Sequence, residues 1–427
     1  MRFHHFYQLL QLLNNPKKTS AEIKQIRQRK LHRLLSHAYE NVPYYHELFH
    51  SSRIKPEDIR SIEDLRYIPL TSRETLQNLD LEDKTSARNR ERPMRSSATS
   101  GTTGFPLRIY HSPEDATMMN LSWARAFLSS GMKPWEKMIA FIGRKDVDES
   151  KKWHEYLGLW RRTEISTWEP FECWIRDLKE LKPSILIGYV MTLKILAEAV
   201  VNDNIPDISP RMIFHSSALL DAHSRAFIES ALNTRIIDIY GSDEAGCIAW
   251  ECPNCGGYHI STDMVIVEII KNGGPAKKGE EGDIVITNLH SSAMPIIRYR
   301  QGDIGAFSVE RPLCGNNFPL LNQVTGRTDD FIVLKSGRKI SPHPFYHCID
   351  PFPEVRRWRI IQEDSSGILV EIEPGKGYDL HVQNALKTKL ENLLNGNLEI
   401  KIRTTDSLII EPGTKFRAVH SRVEGYH

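Results

Sequence analysis

The sequence is poor in the features that mark several large classes of protein. No run in its 427 residues approaches the roughly 18 consecutive apolar positions that a membrane-spanning helix needs. The start, Met1-Arg2-Phe3-His4-His5-Phe6-Tyr7-Gln8-Leu9-Leu10, is broken by His and Gln and lacks a long apolar core and a small-residue cleavage site, so no secretory leader is expected. The 6 cysteines, Cys173, Cys247, Cys252, Cys255, Cys314 and Cys348, are too few for a disulfide framework in a chain of this length. A formal net charge of +2 leaves no electrostatic footprint for nucleic acid. These absences lead to the expectation of a cytoplasmic protein without a membrane span. What remains is an ordinary globular balance, 40% hydrophobic and 26% charged, in a chain long enough to favour two domains.

Helical signals come first. Thr19-Ser20-Ala21-Glu22 is a capping box, followed at helical spacing by Ile23, Ile26, Leu31, Leu34, Leu35 and Ala38 until Val42-Pro43 ends the run. Pro69 to Glu74 reads as another helix start. Lys84, Arg88, Arg90, Arg92 and Arg95 form a basic stretch without apolar periodicity, read as a solvated loop, with a phosphate-facing patch as the alternative. From Tyr110 to Thr287 strand-like and helical stretches alternate, which argues an α/β layer architecture. Met138–Ile142, Ile185–Tyr189, Met212–His215 and Ile236–Tyr240 have the length and apolarity of buried strands. Asp221 is the expected N-cap of a helix running to Leu232. Met264–Ile270, Asp283–Thr287 and Ile296–Arg300 read as antiparallel strands, and Asn272-Gly273-Gly274-Pro275 as a turn. After Asp330 the pattern becomes a small α+β unit, with strands over Arg356–Ile361, Gly367–Glu373 and Leu398–Arg403 and a helix over Val382–Leu394.

Four stretches carry candidate chemistry. Ser96 to Pro106 is made almost wholly of small or hydroxylic residues, so its backbone can bend tightly and offer N–H groups and hydroxyls to phosphate oxygens. It does not match G-x-x-x-x-G-K-[ST], and a plain flexible loop is the alternative. Tyr240-Gly241-Ser242-Asp243-Glu244 ends an apolar strand, where open α/β sheets bind ligands; it is either a turn or a stacking aromatic with a metal-binding carboxylate. Arg298-Tyr299-Arg300-Gln301-Gly302-Asp303 reads as a strand and tight turn ending in a carboxylate. Gly326-Arg327-Thr328-Asp329-Asp330 is a charged turn at a shift in composition.

In this order the four stretches resemble the motifs of the adenylate-forming enzymes, the superfamily of acyl-CoA synthetases, and within it the phenylacetate–CoA ligase and CapK-type branch. The resemblance covers nearly the whole chain, including Tyr39-Glu40-Asn41-Val42-Pro43-Tyr44-Tyr45 in the helical lead-in. It implies a large N-terminal ATP- and acid-binding domain, residues 1–328, with layered α/β sheets, and a small mobile α+β domain, residues 329–427, that carries a catalytic lysine. It implies that Thr99, Ser100, Gly101, Thr102, Thr103 and Gly104 hold the leaving phosphates, that Tyr240 stacks on adenine beside Gly241, and that Glu244 binds magnesium. Asp303 would accept the ribose hydroxyls, Arg327 would reach nucleotide oxygens, and Asp329 would be the hinge. Lys415, in Gly413-Thr414-Lys415-Phe416-Arg417, would bridge the attacking carboxylate and the α-phosphate. Three positions depart from the family pattern: Asp243 and Gln301 stand where Thr is usual, and Thr414 is inserted before the lysine.

Cys252-Pro253-Asn254-Cys255 sets two thiolates on one knuckle, and His259 or Cys314 can complete a tetrahedral zinc site of structural type; unligated thiols are the alternative. No helix follows the pair, against a thioredoxin-like use. Cys173, Cys247 and Cys348 read as ordinary thiols. By resemblance, the acid pocket lies between Tyr189, His215 and the Tyr240 strand. His215-Ser216-Ser217-Ala218-Leu219 replaces the small residue and glycine that many relatives carry there, and either recognises a hydroxylated or charged acid or caps the next helix. Trp160, Trp168 and Trp174 read as aromatic core, with a pocket wall as the alternative.

The function implied is an ATP-dependent carboxylic acid ligase that makes an acyl-adenylate and transfers the acyl group to coenzyme A. Alternatives are an amide or ester ligase in polysaccharide or secondary-metabolite biosynthesis, and a noncatalytic nucleotide-binding protein of a biosynthetic complex. The implied partners are a small carboxylic acid, ATP with Mg²⁺, and coenzyme A; a homodimer is the oligomeric expectation.

Overall fold

The structure, a computed structural model, describes residues 3–98, 107–143, 147, 153–202, 208–216, 219–322, 324, 326–327, 331–336, 339–340, 343–349, 351–352, 354–406, 408 and 418–423. The chain opens with helices α1 (Phe3–Asn14), α2 (Ser20–Asn41) and α3 (Pro43–Ser51), then short α4 (Arg73–Asn78), α5 (Leu81–Lys84) and α6 (Ala87–Arg90). The capping box forms as expected, with Thr19 Oγ1 accepting from Glu22 N–H and Glu22 from Thr19 N–H. Ile23, Leu31, Leu34, Leu35 and Ala38 turn inward on α2. Pro43 both ends α2 and starts α3, because a missing N–H costs nothing in a first helical turn. The basic stretch is not the solvated loop expected of it throughout. Arg88, Arg92 and Arg95 are exposed, but Lys84 is buried and its ammonium donates to the carbonyls of Leu76 and Leu79.

Hairpin β1 (Arg95–Ala98) and β2 (Arg108–His111) follows, and then the long helix α7 (Pro113–Ser129). The alternating section comprises β3 (Met138–Ile142), α8 (Trp153–Tyr156), β4 (Arg162–Ser166), α9 (Phe171–Leu181), β5 (Ile185–Gly188), α10 (Val190–Val201), β6 (Met212–Ser216), α11 (Ala222–Ala231) and β7 (Ile236–Ser242). The Asp221 carboxylate accepts from Ser224 N–H and starts α11 as an N-cap should. Strands β8 (Gly246–Glu251) and β9 (Tyr258–Ile260) turn antiparallel, and β14 (Leu320–Leu321) closes the edge, giving an eight-stranded sheet of order β14-β9-β8-β7-β6-β5-β3-β4. Strand β7 is where the two halves meet, parallel to β6 and antiparallel to β8.

A second, antiparallel sheet of order β11-β10-β12-β13-β15 uses β10 (Val265–Lys271), β11 (Gly274–Pro275), β12 (Gly282–Asn288), β13 (Tyr299–Gly305) and β15 (Gly326–Arg327). Asn272 and Gly273, both at positive φ (51° and 77°), make the two-residue turn between β10 and β11. Apolar residues of the two sheets, among them Ile248, Ile260, Val267, Ile284, Ile286 and Tyr299, share one core cluster. Each such side chain withdrawn from water contributes about 1.5–3 kcal/mol.

One charged cluster is sealed inside. Arg125 of α7 and Asp263 pair at 2.6 Å with both side chains fully buried, and the guanidinium lies over the rings of Trp250 and Phe318. Asn15 also donates to Asp263, while the Lys30 ammonium reaches the Asp263 carbonyl at 2.6 Å and His290 Nε2 at 2.9 Å.

The C-terminal part has its own core, from Ile332 to Val419. It holds β16 (Ile332–Val333), β17 (Lys339–Ile340), α12 (His343–Ile349), β18 (Val355–Asp364), β19 (Gly367–Pro374), α13 (Leu380–Leu394), β20 (Glu399–Thr404) and β21 (Val419–Ser421), with sheet order β20-β19-β18-β21. The expected strands and helix form within three residues of their expected limits. The short parallel strand β21 had no sequence signal, since three residues carry no period.

Candidate active site

The two sheets of the large part meet at β7 and β13. Tyr240, near the end of β7, donates its hydroxyl to Asp303 Oδ2 on β13 at 2.7 Å. Gln301, on the same strand, donates to Glu244 Oε2 at 3.4 Å, and Asn288 donates to the Glu244 carbonyl at 2.8 Å. Glu244 is buried in the turn after β7, whereas Asp243 beside it faces solvent. An aromatic ring and two carboxylates, drawn from stretches about 60 positions apart in sequence, therefore share one edge.

Local sequence explains each placement. Gly241 cannot be replaced by a larger residue, because a Cβ there would stand 2.6 Å from the Trp123 ring and 2.7 Å from the Gly246 carbonyl. Gly246 sits at φ 72° and lets β8 return directly. Helix α7 fixes this corner, with Ser122 Oγ accepting from Cys247 N–H. The expected tight turn before Asp303 is not formed: β13 runs through Gly302 to Gly305, and Asp303 is a strand residue opposite Arg327 of β15. Strand β13 is anchored below the site. Thr71 pairs with its backbone on both sides of Tyr299, and buried Arg298 is held by Glu268 at 2.9 Å and by the Ile68 carbonyl.

The small-residue run is divided. Ser96, Ser97 and Ala98 belong to β1, paired with Tyr110, Ile109 and Arg108, and are not loop. Thr99, Ser100, Gly101, Thr102, Thr103 and Gly104 lie outside the described residues, as do Asp329 and Lys415. Arg327 is placed only by its backbone in β15.

Sequence reasoning missed His111. It ends β2, is buried, and makes a hydrogen bond to the Asp243 backbone; burial pushes its pKa down, and the nearby charges of Asp115 and Glu244 oppose that shift. The available signal was Ser112-Pro113-Glu114-Asp115, a capping box that starts α7 next to His111. Asp115 also accepts from the backbones of Ser292 and Ala293, which ties the foot of the hairpin to the second sheet.

Where the resemblance led to the expectation of an acid pocket, the Tyr189 hydroxyl accepts from Gly143 N–H at 3.3 Å, and the Trp168 indole donates to the Gly143 carbonyl at 3.2 Å. Trp174 is core, as read from the sequence, and Trp160 packs partly buried; Trp168 is 39% exposed and stands at the rim. His215 pairs with Asp238 at 2.9 Å, and the Tyr258 hydroxyl donates to the other Asp238 oxygen at 2.7 Å. Ser217 and Ala218 lie outside the described residues.

Cys252, Cys255, His259 and Cys314 converge, with one ligand atom of each within 4.8 Å of all the others. Ligands about 2.3 Å from a tetrahedral centre lie about 3.8 Å apart, so the set has the dimensions of a zinc site. His259 Nε2 is 3.2 Å from Cys314 Sγ, and Nδ1 faces the Phe318 carbonyl at 3.2 Å, which fixes the proton on Nδ1 and leaves Nε2 as the ligand atom. Burial pushes the Cys252 thiol up to about 12. Burial also opposes the Cys255 thiolate, but the Leu313 N–H, 3.4 Å from Sγ, and its bonds to Cys252 and Cys314 hold its pKa below the usual thiol range. Cys247 is buried, and Cys173 and Cys348 are half-buried.

No family model matches the chain. It is 27% identical over 424 residues to the phenylacetate-coenzyme A ligase of Escherichia coli, across 94% of this chain and 95% of that one. Protein CapK of Staphylococcus aureus is 20% identical over 427 residues, across 97% of this chain and 91% of its own. Among solved structures, 2-hydroxyisobutyryl-CoA ligase in the postadenylation state superposes with a TM-score of 0.77 at 19% identity, over 95% of this chain and 90% of that chain. The α/β layered fold expected from the motifs is the fold of adenylate-forming ligases, and the likeness to the phenylacetate–CoA ligase branch is confirmed.

Proposed function

We infer that this relative of the phenylacetate–CoA ligases is itself an ATP-dependent carboxylic acid ligase, forming an acyl-adenylate and passing the acyl group to coenzyme A. The observation that carries the reading is the meeting of Tyr240, Asp303, Gln301 and Glu244 at one edge between the two sheets. A ring to stack on a purine lies next to a carboxylate able to accept two ribose hydroxyls, with a second, buried carboxylate one turn away.

In this reading the acid's carboxylate attacks the α-phosphorus of ATP in line and pyrophosphate leaves. The protein supplies little covalent chemistry, so positioning and charge neutralisation account for the rate. Residues 99–104, which follow β1 in the sequence, hold the leaving phosphates. Tyr240 and Gly241 receive the adenine, Asp303 the ribose and Arg327 the nucleotide oxygens. Lys415 offsets the charge that develops between the carboxylate and the α-phosphate. Bound at Glu244, Mg²⁺ would neutralise phosphate charge. Residues 329–427 turn about Asp329, so one site serves the adenylation and then the thioester step. Cys252, Cys255, His259 and Cys314 hold structural zinc, which pins the β8–β9 loop to the loop carrying Cys314. A thiol site of this kind suits the reducing cytoplasm.

The test is exchange of labelled pyrophosphate into ATP with pools of aryl, fatty, amino and sugar acids, in the wild type and in Lys415→Ala. Exchange that depends on one acid and collapses in the variant is the expected result. ATP binding without exchange in any pool would refute the ligase reading and favour a nucleotide-binding role.

A further inference from the structure

Strand order locates a second recognition element. In the run β4-β3-β5-β6-β7 the chain first adds β4 on one side of β3, then returns to add β5, β6 and β7 on the other. Such a reversal opens a crevice beyond the carboxyl ends of the two strands that flank it, here β3 and β5, and open α/β sheets hold small ligands there. Gly143, Trp168 and Tyr189 form the rim of this crevice. His215 stands one strand further in, near the carboxyl end of β6, opposite Gly188 of β5 and Asp238 of β7.

His215 is fully buried, and one of its ring nitrogens is fixed. An ionised carboxylate only accepts, so the 2.9 Å contact with Asp238 puts a proton on Nδ1, and the neutral form of the ring then carries its lone pair on Nε2. The Tyr258 hydroxyl occupies the second Asp238 oxygen, and the Asp238 N–H donates to Glu251, so the carboxylate cannot turn away. Among the described residues no partner reaches Nε2. The space beside Gly188, the residue opposite His215 on β5, is bounded by the apolar side chains of Leu193 and Phe141, 3.2 Å and 3.6 Å from where a Cβ would stand. Folded proteins pair nearly all buried polar atoms, so a buried acceptor with a fixed tautomer beside a ligand crevice calls for a donor from outside the chain.

We propose that His215 is a specificity-determining residue whose Nε2 accepts a hydrogen bond from a hydroxyl or amino group on the acid, so that hydroxy- or amino-substituted carboxylic acids are the substrate class. Asp238 and Tyr258 are positioning residues that hold the acceptor. This inference rests on the ligase reading above. A site built to pair a substrate hydroxyl rejects the analogue that lacks it far more strongly than an apolar pocket rejects a missing methylene.

The experiment compares matched acids with and without the donor, such as 4-hydroxyphenylacetate and phenylacetate, 3-hydroxybutyrate and butyrate, or aminobenzoate and benzoate, in pyrophosphate exchange. The wild type should favour the donor-bearing member of one pair by about 100-fold or more in kcat/KM. His215→Leu should bring the two members within about threefold by lowering only the donor-bearing one, and Tyr258→Phe should have a smaller effect in the same direction. His215→Gln, which keeps a polar group, should retain part of the preference and decides the matter if the Leu variant does not fold. Equal rates in the wild type, a preference that survives in His215→Leu, or equal losses for both members of a pair would overturn the proposal while leaving the ligase reading intact. Exchange with no acid of either kind overturns the ligase reading and this inference with it.

Discussion

The hydroxyl of Tyr240 and the carboxylate of Asp303 are 2.7 Å apart, and each belongs to a different sheet. This bond sets the ring and the carboxylate proposed to accept the ribose at a fixed separation before any nucleotide arrives. Tyr240→Phe keeps the ring and loses the tether, so the KM for ATP should rise about 5- to 20-fold with kcat changed less than about threefold. Asp303→Ala removes the acceptor itself and should cost more than about 20-fold in kcat/KM for ATP. An unchanged KM for ATP in Asp303→Ala would remove that residue from the nucleotide site.

Lys415 is assigned to the first half-reaction alone. Lys415→Ala should lower pyrophosphate exchange by at least about 100-fold, yet leave thioester formation from a supplied acyl-adenylate within about threefold. Equal losses in both assays would assign the lysine a structural role.

The Cys252, Cys255, His259 and Cys314 set should bring one zinc per chain through purification in metal-free buffer, read by elemental analysis. Cys252→Ser and Cys314→Ser should each abolish stoichiometric zinc and lower Tm by at least about 5 °C. Metal-free protein of unchanged Tm would rule out a structural zinc.

His290 predicts the acid limit of stability. Burial, followed by the charge of Lys30, pushes its pKa from the usual range down to about 3, and its Nε2 accepts from Lys30 at 2.9 Å. The depressed folded pKa means that the unfolded chain binds the proton first. The contribution is therefore complete above the unfolded value of about 6.5 and lost progressively as pH falls toward about 3. Denaturant melts at pH 7 and pH 4.5 should show wild-type stability dropping, with the drop smaller in His290→Gln. An equal drop in the variant would place the acid sensitivity elsewhere than at His290, and not at the Asp263 carboxylate. That group is opposed by burial but held ionised by Arg125 and Lys30, and its contribution fades only as pH falls below the ordinary carboxylate range.

Much of this was legible in the sequence. The apolar runs of β3, β5, β6 and β7 are largely buried strands whose composition needs no partner to identify it, and Asp221 and Thr19 announce their helices by local hydrogen bonding. Tyr240, Glu244 and Asp303 were singled out through ordered motifs, and it is the pairing of two sheets distant in sequence that brings them together. What stayed hidden depends on such pairings alone. Lys84 looks like any member of a basic stretch until the carbonyls of α4 are seen to end over it. His111 gains its neighbours from a turn more than 130 positions later, and Asp238 is one polar residue in an apolar strand until His215 and Tyr258 flank it.

The change of direction at β7 has a consequence for retargeting the enzyme. On the β8 side the chain returns through Asp243, Glu244 and Ala245 alone, with Gly241 already against Trp123, so neither insertions nor larger side chains can be accommodated there. Libraries aimed at new acids belong at Gly143, Tyr189 and His215, and should leave Asp221, the buried N-cap of α11, unchanged. Randomising residues 240–246 would mostly return unfolded protein.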